Sequence, residues 1–420
     1  MREGYAATTI AQVIAKAGVS RPTFYDYFTD KDDCFLAALA NVQQQLSTDI
    51  REAVEDAPGE QAIAATIRAL IGFATTESEK AHYLMSEPTA GGPAGLDARD
   101  QGIKEIAQTI EQAQEQLAPK TATPDLSPHL LIGTIYRLLA ARLRHDELSV
   151  DGMVDDLLEW VGTYEQPTSQ HRWRALEPAP EPAPWPLLPE AHLRAPPPLQ
   201  PGRPRRAEDV LANQRQRILF ATAEATQAKG YTATTIADIT KLAGVDHRVF
   251  AALFADKQQA FMAIHELGFQ RTMAVSAAAF FAGESWPERI WEAGRAFTQF
   301  FEENPTIAHI GFVESYAVGP SAVKSVEDLL GAFTIFLQEG YQYSQHSPPP
   351  SSLALKAIAA ANFEIAYSQA RLDSGPGMAG LLPHVTFISL APFLGAVQAN
   401  AFIDGEMNEG DGGVAGPDVS

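Results

Sequence analysis

Arg21, Thr23, Tyr25 and Tyr27 follow Ser20 at alternating positions in the first thirty residues. These side chains suit recognition of a duplex rather than bond-breaking. A guanidinium can hold guanine through two hydrogen bonds, and a threonine hydroxyl can meet a base edge. Tyrosine and serine hydroxyls can bond phosphate oxygens. Constellations that would support catalysis are missing from the sequence. No Ser-His-Asp elbow is recognisable. Gly91-Gly92-Pro93-Ala94-Gly95 lacks the Lys-Ser/Thr of a phosphate cradle. No His, Asp or Glu set has the spacing of a metal site. The expectation is a non-enzymatic protein without cofactor or metal.

The surrounding residues must present this set on one surface. Thr9 can cap a helix whose apolar positions are Ile10, Val13, Ile14 and Ala17. Gly18 can end it in the left-handed conformation, and Val19 is expected to fill the corner. Ser20 can cap a second short helix, with Pro22 in its first turn. Phe24 and Phe28 are four apart and should face inward, leaving Arg21, Thr23, Tyr25 and Tyr27 on the outer face. Two helices joined by a tight glycine turn form a helix-turn-helix, whose second helix enters the major groove.

The same stretch recurs. Gly4-Tyr5-Ala6-Ala7-Thr8-Thr9-Ile10-Ala11 returns as Gly230-Tyr231-Thr232-Ala233-Thr234-Thr235-Ile236-Ala237, and Asp30-Lys31 as Asp256-Lys257. Between 4–39 and 230–265, 16 of 36 positions are identical. A fainter echo pairs His82 and Glu87 with His309 and Glu314, so the duplicated unit extends past the first motif. These four read mainly as structural, by packing or helix-end hydrogen bonding. Cys34, opposite Ala260, reads as a small buried residue.

Gly4-Tyr5-x-x-Thr8-Thr9, Ala17-Gly18-Val19-Ser20 and Thr23-Phe24-Tyr25-x-Tyr27-Phe28-x-x-Lys31 closely resemble the N-terminal signature of the tetracycline-repressor (TetR) family. The resemblance implies an all-α protein with a three-helix DNA-binding head and a larger helical domain that binds a small molecule and dimerises. It implies backbone-positioning roles on DNA for Thr9, Ser20, Tyr25, Tyr27 and Lys31, and base reading by Arg21 and Thr23. The duplication resembles tandem members of the family from actinobacteria. Double-stranded operator DNA and an apolar or aromatic small molecule are the implied partners, with release of DNA on ligand binding.

Two departures from the family pattern stand out. The family has a helix before the Gly-Tyr pair, which the second copy supplies from Asn213 to Lys229 through Ile218, Leu219, Ala221 and Ala225. The first copy has three residues there, and its natural start is expected upstream. Ile10, Ile14, Phe24 and Phe28 would otherwise lack cover. In the second recognition helix Ala251 and Leu253 replace Tyr25 and Tyr27, and Asp246 adds negative charge. Thr235, His247, Arg248 and Lys257 are the candidate DNA contacts there, with phosphate contacts from Arg205, Arg206, Arg215 and Arg217. A purely structural second head is the alternative.

Charge and composition set the frame. The 420 residues carry 31 basic and 52 acidic side chains, a net charge of −21. Residues 1–45 hold 4 basic and 5 acidic groups, and 205–265 hold 8 and 6. The acidity is thus concentrated outside the heads, which can approach a polyanion. No apolar run of membrane-spanning length occurs, and no basic patch precedes an apolar stretch at the N-terminus. With one cysteine, the expectation is a cytoplasmic protein without disulfides.

Expected domains are 1–45 as the first head, 46–165 as its helical domain, 166–204 as a linker, 205–265 as the second head, 266–404 as its helical domain and 405–420 as a disordered tail. Residues 167–204 contain 12 prolines, so this linker is a spacer or a strap lying on a domain. Apolar residues recur at helical spacing throughout. Single helices are expected over Val323–Tyr341 and Val385–Phe402. The last two helices of each unit would form a four-helix bundle, in an intramolecular pseudo-dimer or a homodimer. A pseudo-dimer would set two heads roughly 34 Å apart on unlike half-sites. Aromatic residues crowd the second helical domain, and ligand contact is expected at Trp291, His309, Phe312, Tyr316 and Phe333. The rival reading is a sensor or interaction protein of the same fold that no longer binds DNA.

Overall fold

The computed structural model describes residues 4–144, 150, 152–171, 193–200, 206–344, 349–371 and 377–412. The chain divides into two units, Met1–Ala175 with Pro350–Ala361 and Leu176–Pro349 with Asn362–Ser420. Among the described residues both are helical, apart from one short ribbon in the first.

The first unit opens with α1 (Gly4–Ala7), α2 (Ile10–Ala17), α3 (Arg21–Tyr27) and α4 (Lys31–Glu55). It continues through α5 (Ala62–Thr76), α6 (Ser78–Ser86), α7 (Gly92–Gln114), α8 (Pro128–Arg144) and α9 (Met153–Gly162). Strand β1 (Ala122–Pro124) pairs antiparallel with β2 (Glu165–Pro167), Thr123 lying opposite Gln166. The heptad-like stripe of α4 buries Phe35, Leu39, Leu46, Ile50 and Val54, the spacing that turns one helical face toward a core. A polar network lies within that core. Gln43 donates through Nε2 to Ser47 Oγ at 3.0 Å and to the Gly102 carbonyl at 3.2 Å, and Tyr136 Oη donates to Gln43 Oε1 at 3.3 Å. Each member is satisfied by another, which is the condition for burying such groups.

The second unit begins with α10 (Ala207–Lys229), α11 (Ile236–Ala243), α12 (His247–Leu253) and α13 (Lys257–Phe280). Next come α14 (Trp286–Glu303), α15 (Pro305–His309), a π-helical turn (Ile310–Glu314), α16 (Ser315–Val318) and α17 (Pro320–Phe333). The end of the chain forms α18 (Ser352–Arg371), α19 (Leu382–Leu394) and α20 (Ala396–Gly412). Two expected helices are broken. The one over Val323–Tyr341 tightens into a 3-10 helix from Thr334 to Gln342, where the Trp286 indole takes the Phe336 carbonyl at 2.9 Å. The one over Val385–Phe402 splits at Gly395, whose φ of 82° turns the chain three residues after Pro392. α20 runs to Gly412, through the first part of the expected tail.

The described end of the proline-rich linker is seated on the second unit. The Leu193 amide donates to Asn304 Oδ1 at 3.1 Å, and Asn213 Nδ2 donates to the Pro197 carbonyl at 3.1 Å. Proline has no amide to offer, so the stretch relies on partner side chains for its polar contacts. Trp173, Trp185 and Arg205 lie outside the described residues.

Candidate nucleic-acid interface

The first head is assembled from local signals. Thr9 and Gln12 form a reciprocal capping box: the Gln12 amide donates to Thr9 Oγ1 at 3.3 Å, and the Thr9 amide to Gln12 Oε1 at 2.7 Å. Gly18 closes α2 at φ 69°, ψ 29°. Ser20 caps α3 by accepting the Thr23 amide at 3.2 Å, and the two hydroxyls share a bond of 2.8 Å. Phe24 is buried under α3. That orientation leaves Arg21, Tyr25 and Tyr27 exposed, Tyr25 at 47% and Tyr27 at 78%. The Arg21 guanidinium lies 5.9 Å from the centre of the Tyr25 ring, and Tyr25 stands edge-on to Phe24 at 5.4 Å. Of the expected set, Arg21, Tyr25 and Tyr27 are therefore exposed on α3. Thr23 is only half-exposed, its hydroxyl engaged with Ser20.

The second head repeats the scaffold. Thr235 and Asp238 form the capping box, Gly244 ends α11 at φ 59°, and Asp246 caps α12. The Lys229 ammonium and the Thr235 bonds hold the Asp238 carboxyl below the usual carboxylate range. His247 and Arg248 are exposed beside Ala251 and Ala252, which offer no side-chain donor. Two arginines expected to reach phosphate serve the head itself. Arg217 donates to the Gly244 carbonyl at 3.3 Å, and Arg215 lies over the Phe254 ring at 5.6 Å.

The heads differ most in cover. α10 packs on α11 and α13 and buries Ile239, Thr240, Ala243 and Phe254. Among the described residues, α1 is a single turn ahead of α2. In the first head α2 has no buried residue, Phe28 is half-exposed, and Val19 is 42% exposed instead of filling the corner. Local capping sets the geometry of this corner, whereas its burial depends on an element that comes from elsewhere in sequence.

Both heads are joined to their own helical domain in the same way. The Tyr5 amide donates to Glu87 Oε2 at 2.6 Å, and the Tyr231 amide to Glu314 Oε2 at 2.8 Å. Lys31 donates to the Tyr5 carbonyl at 3.1 Å and Lys257 to the Tyr231 carbonyl at 2.8 Å. Their ammonium groups stand 4.0 and 4.4 Å from the centres of the same tyrosine rings. Lys257 also bonds the carbonyls of Thr232 and Thr234, and its burial lowers the ammonium pKa. Tyr5 Oη bonds Asp32. Lys31 and Lys257 were expected as DNA contacts; in this fold their ammonium groups are engaged by the head's own backbone. Only the repeat of Glu87 and His82 at Glu314 and His309 hinted at this junction.

The second helical domain gathers many of its aromatic residues into a cluster. Phe312, within the π-helical turn, contacts Phe301 at 4.8 Å and Phe363 at 5.0 Å, with Phe297 at 6.3 Å. Phe297 meets Phe333 at 5.4 Å, and Tyr316 meets Phe363 at 6.2 Å. Of the expected ligand residues, Phe312, Tyr316 and Phe333 join this cluster. His309 turns to Glu314, with Nε2 at 3.5 Å from Oε1, and Trp291 is buried on α14. Phe281, at the end of α13, is 76% exposed. Cys34 is half-buried rather than enclosed, and burial pushes its thiol pKa up. Among the described residues no group of three or more His, Cys, Asp or Glu side chains could hold a metal, and no helix is long and apolar enough to cross a membrane.

Residues 1–38 match the family described as bacterial regulatory proteins, tetR family. No curated protein matches the chain. Among solved structures, a tetR-family regulatory protein from Rhodococcus RHA1 is 19% identical, with 46% of this chain and 95% of that one covered and a TM-score of 0.34. A putative TetR-family regulator from Syntrophomonas wolfei is 19% identical, covering 50% and 98%, with a TM-score of 0.33. A TetR-like regulator from Rhodococcus sp. RHA1 is 18% identical, covering 51% and 100%, also at 0.33. Over residues 1–38, the first helix-turn-helix head is thus similar to the N-terminal segment of tetR-family regulators.

Proposed function

We propose that the protein is a one-component repressor whose first head reads operator DNA through α3 and whose second unit senses a small apolar or aromatic molecule. The observation that carries this reading is the exposure of Arg21, Tyr25 and Tyr27 on α3 while Phe24 anchors the helix in the core. Arg21 is the base reader, with Thr23 as a hydroxyl beside it. Thr9, Ser20, Tyr25 and Tyr27 position the backbone of the duplex. In the second head Thr235, His247 and Arg248 supply a weaker set, so the two half-sites of an intramolecular pseudo-dimer are unlike. The aromatic cluster around Phe312, interrupted by a π-helical turn, favours ligand entry there, since such turns recur at functional sites. Ligand acts by preferring the conformation that does not hold DNA.

The test starts from genomic fragments selected by the purified protein. Arg21→Ala should weaken the selected operator about 5- to 150-fold, the range of a lost bidentate base contact. Binding should also fall steeply with salt. Unchanged mobility-shift affinity in both Arg21→Ala and Tyr25→Ala would remove the first head from the interface. A sensor or interaction protein of the same fold is the second reading, favoured by Ala251 and Ala252 in α12. Selection of no genomic fragment would favour it.

A further inference from the structure

We infer that Glu87 and Glu314 are positioning residues, each aiming its head from the helical domain by holding the Gly-Tyr turn. Gly4 and Gly230 sit at φ 70° and 79°, conformations that favour glycine, and each immediately precedes a tyrosine. In both units the tyrosine amide meets a carboxylate more than eighty residues away, at 2.6 and 2.8 Å. The carbonyl of the same tyrosine meets the lysine that begins the long helix of the helical domain. Both backbone groups of one residue are therefore gripped from outside the turn, and one grip comes from each of two different elements. Charged partners make these the stronger class of hydrogen bond.

The placement of the carboxylates gives the grip its consequence. Glu87 follows α6, and Glu314 ends the π-helical turn that contains Phe312 of the aromatic cluster. A histidine five residues earlier faces each one, His82 Nδ1 at 4.0 Å and His309 Nε2 at 3.5 Å. Movement of α6, or of the π-helical turn, displaces the acceptor of the Tyr5 or Tyr231 amide. The turn leads directly into the helix-turn-helix, so its position sets where α3 or α12 points. The junction occurs twice in one chain, on residues that repeat at nearly constant offset, which an incidental surface contact does not explain. This inference goes beyond the proposed function: it concerns how a head is aimed and uses the DNA-binding reading only for its consequence on operator affinity.

The experiment uses the full chain with Cys34→Ala, and spin labels on Lys16→Cys of α2 and Arg68→Cys of α5, both exposed positions of the first unit. Glu87→Ala should broaden or shift the distance distribution and speed exchange of the Tyr5 amide by about 10- to 100-fold, as expected on losing a charged acceptor. Glu87→Gln keeps an oxygen acceptor and should restore most of both. A Glu87→Ala distribution that superimposes on that of the parent overturns the inference, as does a Glu87→Gln protein indistinguishable from Glu87→Ala. Glu314→Ala repeats the test in the second unit, read at the Tyr231 amide, and covers the case in which Glu87→Ala fails to fold. Neither measurement involves DNA, so failure here is distinct from failure of the operator reading.

Discussion

His265 stands where the first repeat has Leu39, and replacing it by leucine should remove an acid-sensitive step from the second unit. The imidazole is 5% exposed, stacks on Phe261 at 6.2 Å, and has Nδ1 3.3 Å from Ser325 Oγ. Burial pulls its pKa down from 6.5 to about 4, with Glu266 opposing weakly. A depressed histidine is neutral when folded and protonates more readily when unfolded. It therefore costs stability as the pH falls from about 6.5 toward about 4, and contributes nothing of this kind above 6.5. The gap of about 2.5 units corresponds to roughly 3 kcal/mol at the acid limit. His265→Leu should leave stability at pH 7 nearly unchanged, since Leu39 fills the matching position and half-exposed Ser325 can bond water. Hydrogen exchange of α13 peptides between pH 4.5 and 7.5, corrected for intrinsic exchange, reads the effect locally in a two-unit chain whose global unfolding need not be two-state. An acid-side loss of protection identical in parent and variant would refute the reasoning.

Two further outcomes follow from packing. Amides of α2 should exchange at least tenfold faster than those of α11, because α2 buries no side chain and α11 buries Ile239, Thr240 and Ala243; equal protection in the two helices would show that burial by α10 is not what stabilises a head. Gly95→Ala would place a methyl group 2.1 Å from the Pro88 carbonyl oxygen, a backbone atom. It should destabilise the first unit by about 1–3 kcal/mol, seen as an earlier thermal transition, whereas an unchanged transition would mean that the Pro88–Gly95 turn yields freely.

Much of each head was legible in local residue order. Thr9 with Gln12, Gly18, Ser20 and the Phe24–Phe28 spacing specify two capped helices and the outward face of α3, because caps and glycine turns act over four or five residues. The same holds for the start of α14, where Glu288 accepts the Ser285 amide at 3.1 Å. Length was harder to read. Apolar periodicity runs on through Val385–Phe402, but Pro392 and Gly395 divide it, and a tertiary contact from Trp286 tightens the chain after Phe333.

Lys31 and Lys257 were expected at DNA, and the fold sets each against a tyrosine ring and its carbonyl. Glu87 and Glu314 gave no periodic cue at all. Their partners lie 82 and 83 residues away, and a single carboxylate–amide bond between distant segments leaves no pattern in the intervening sequence. The burial of Phe254 likewise followed from α10, whose Arg215 lies over its ring. Short-range capping, turn chemistry and helical periodicity are written along the chain; which charge is held, and which apolar face is covered, depends on what the completed fold brings alongside.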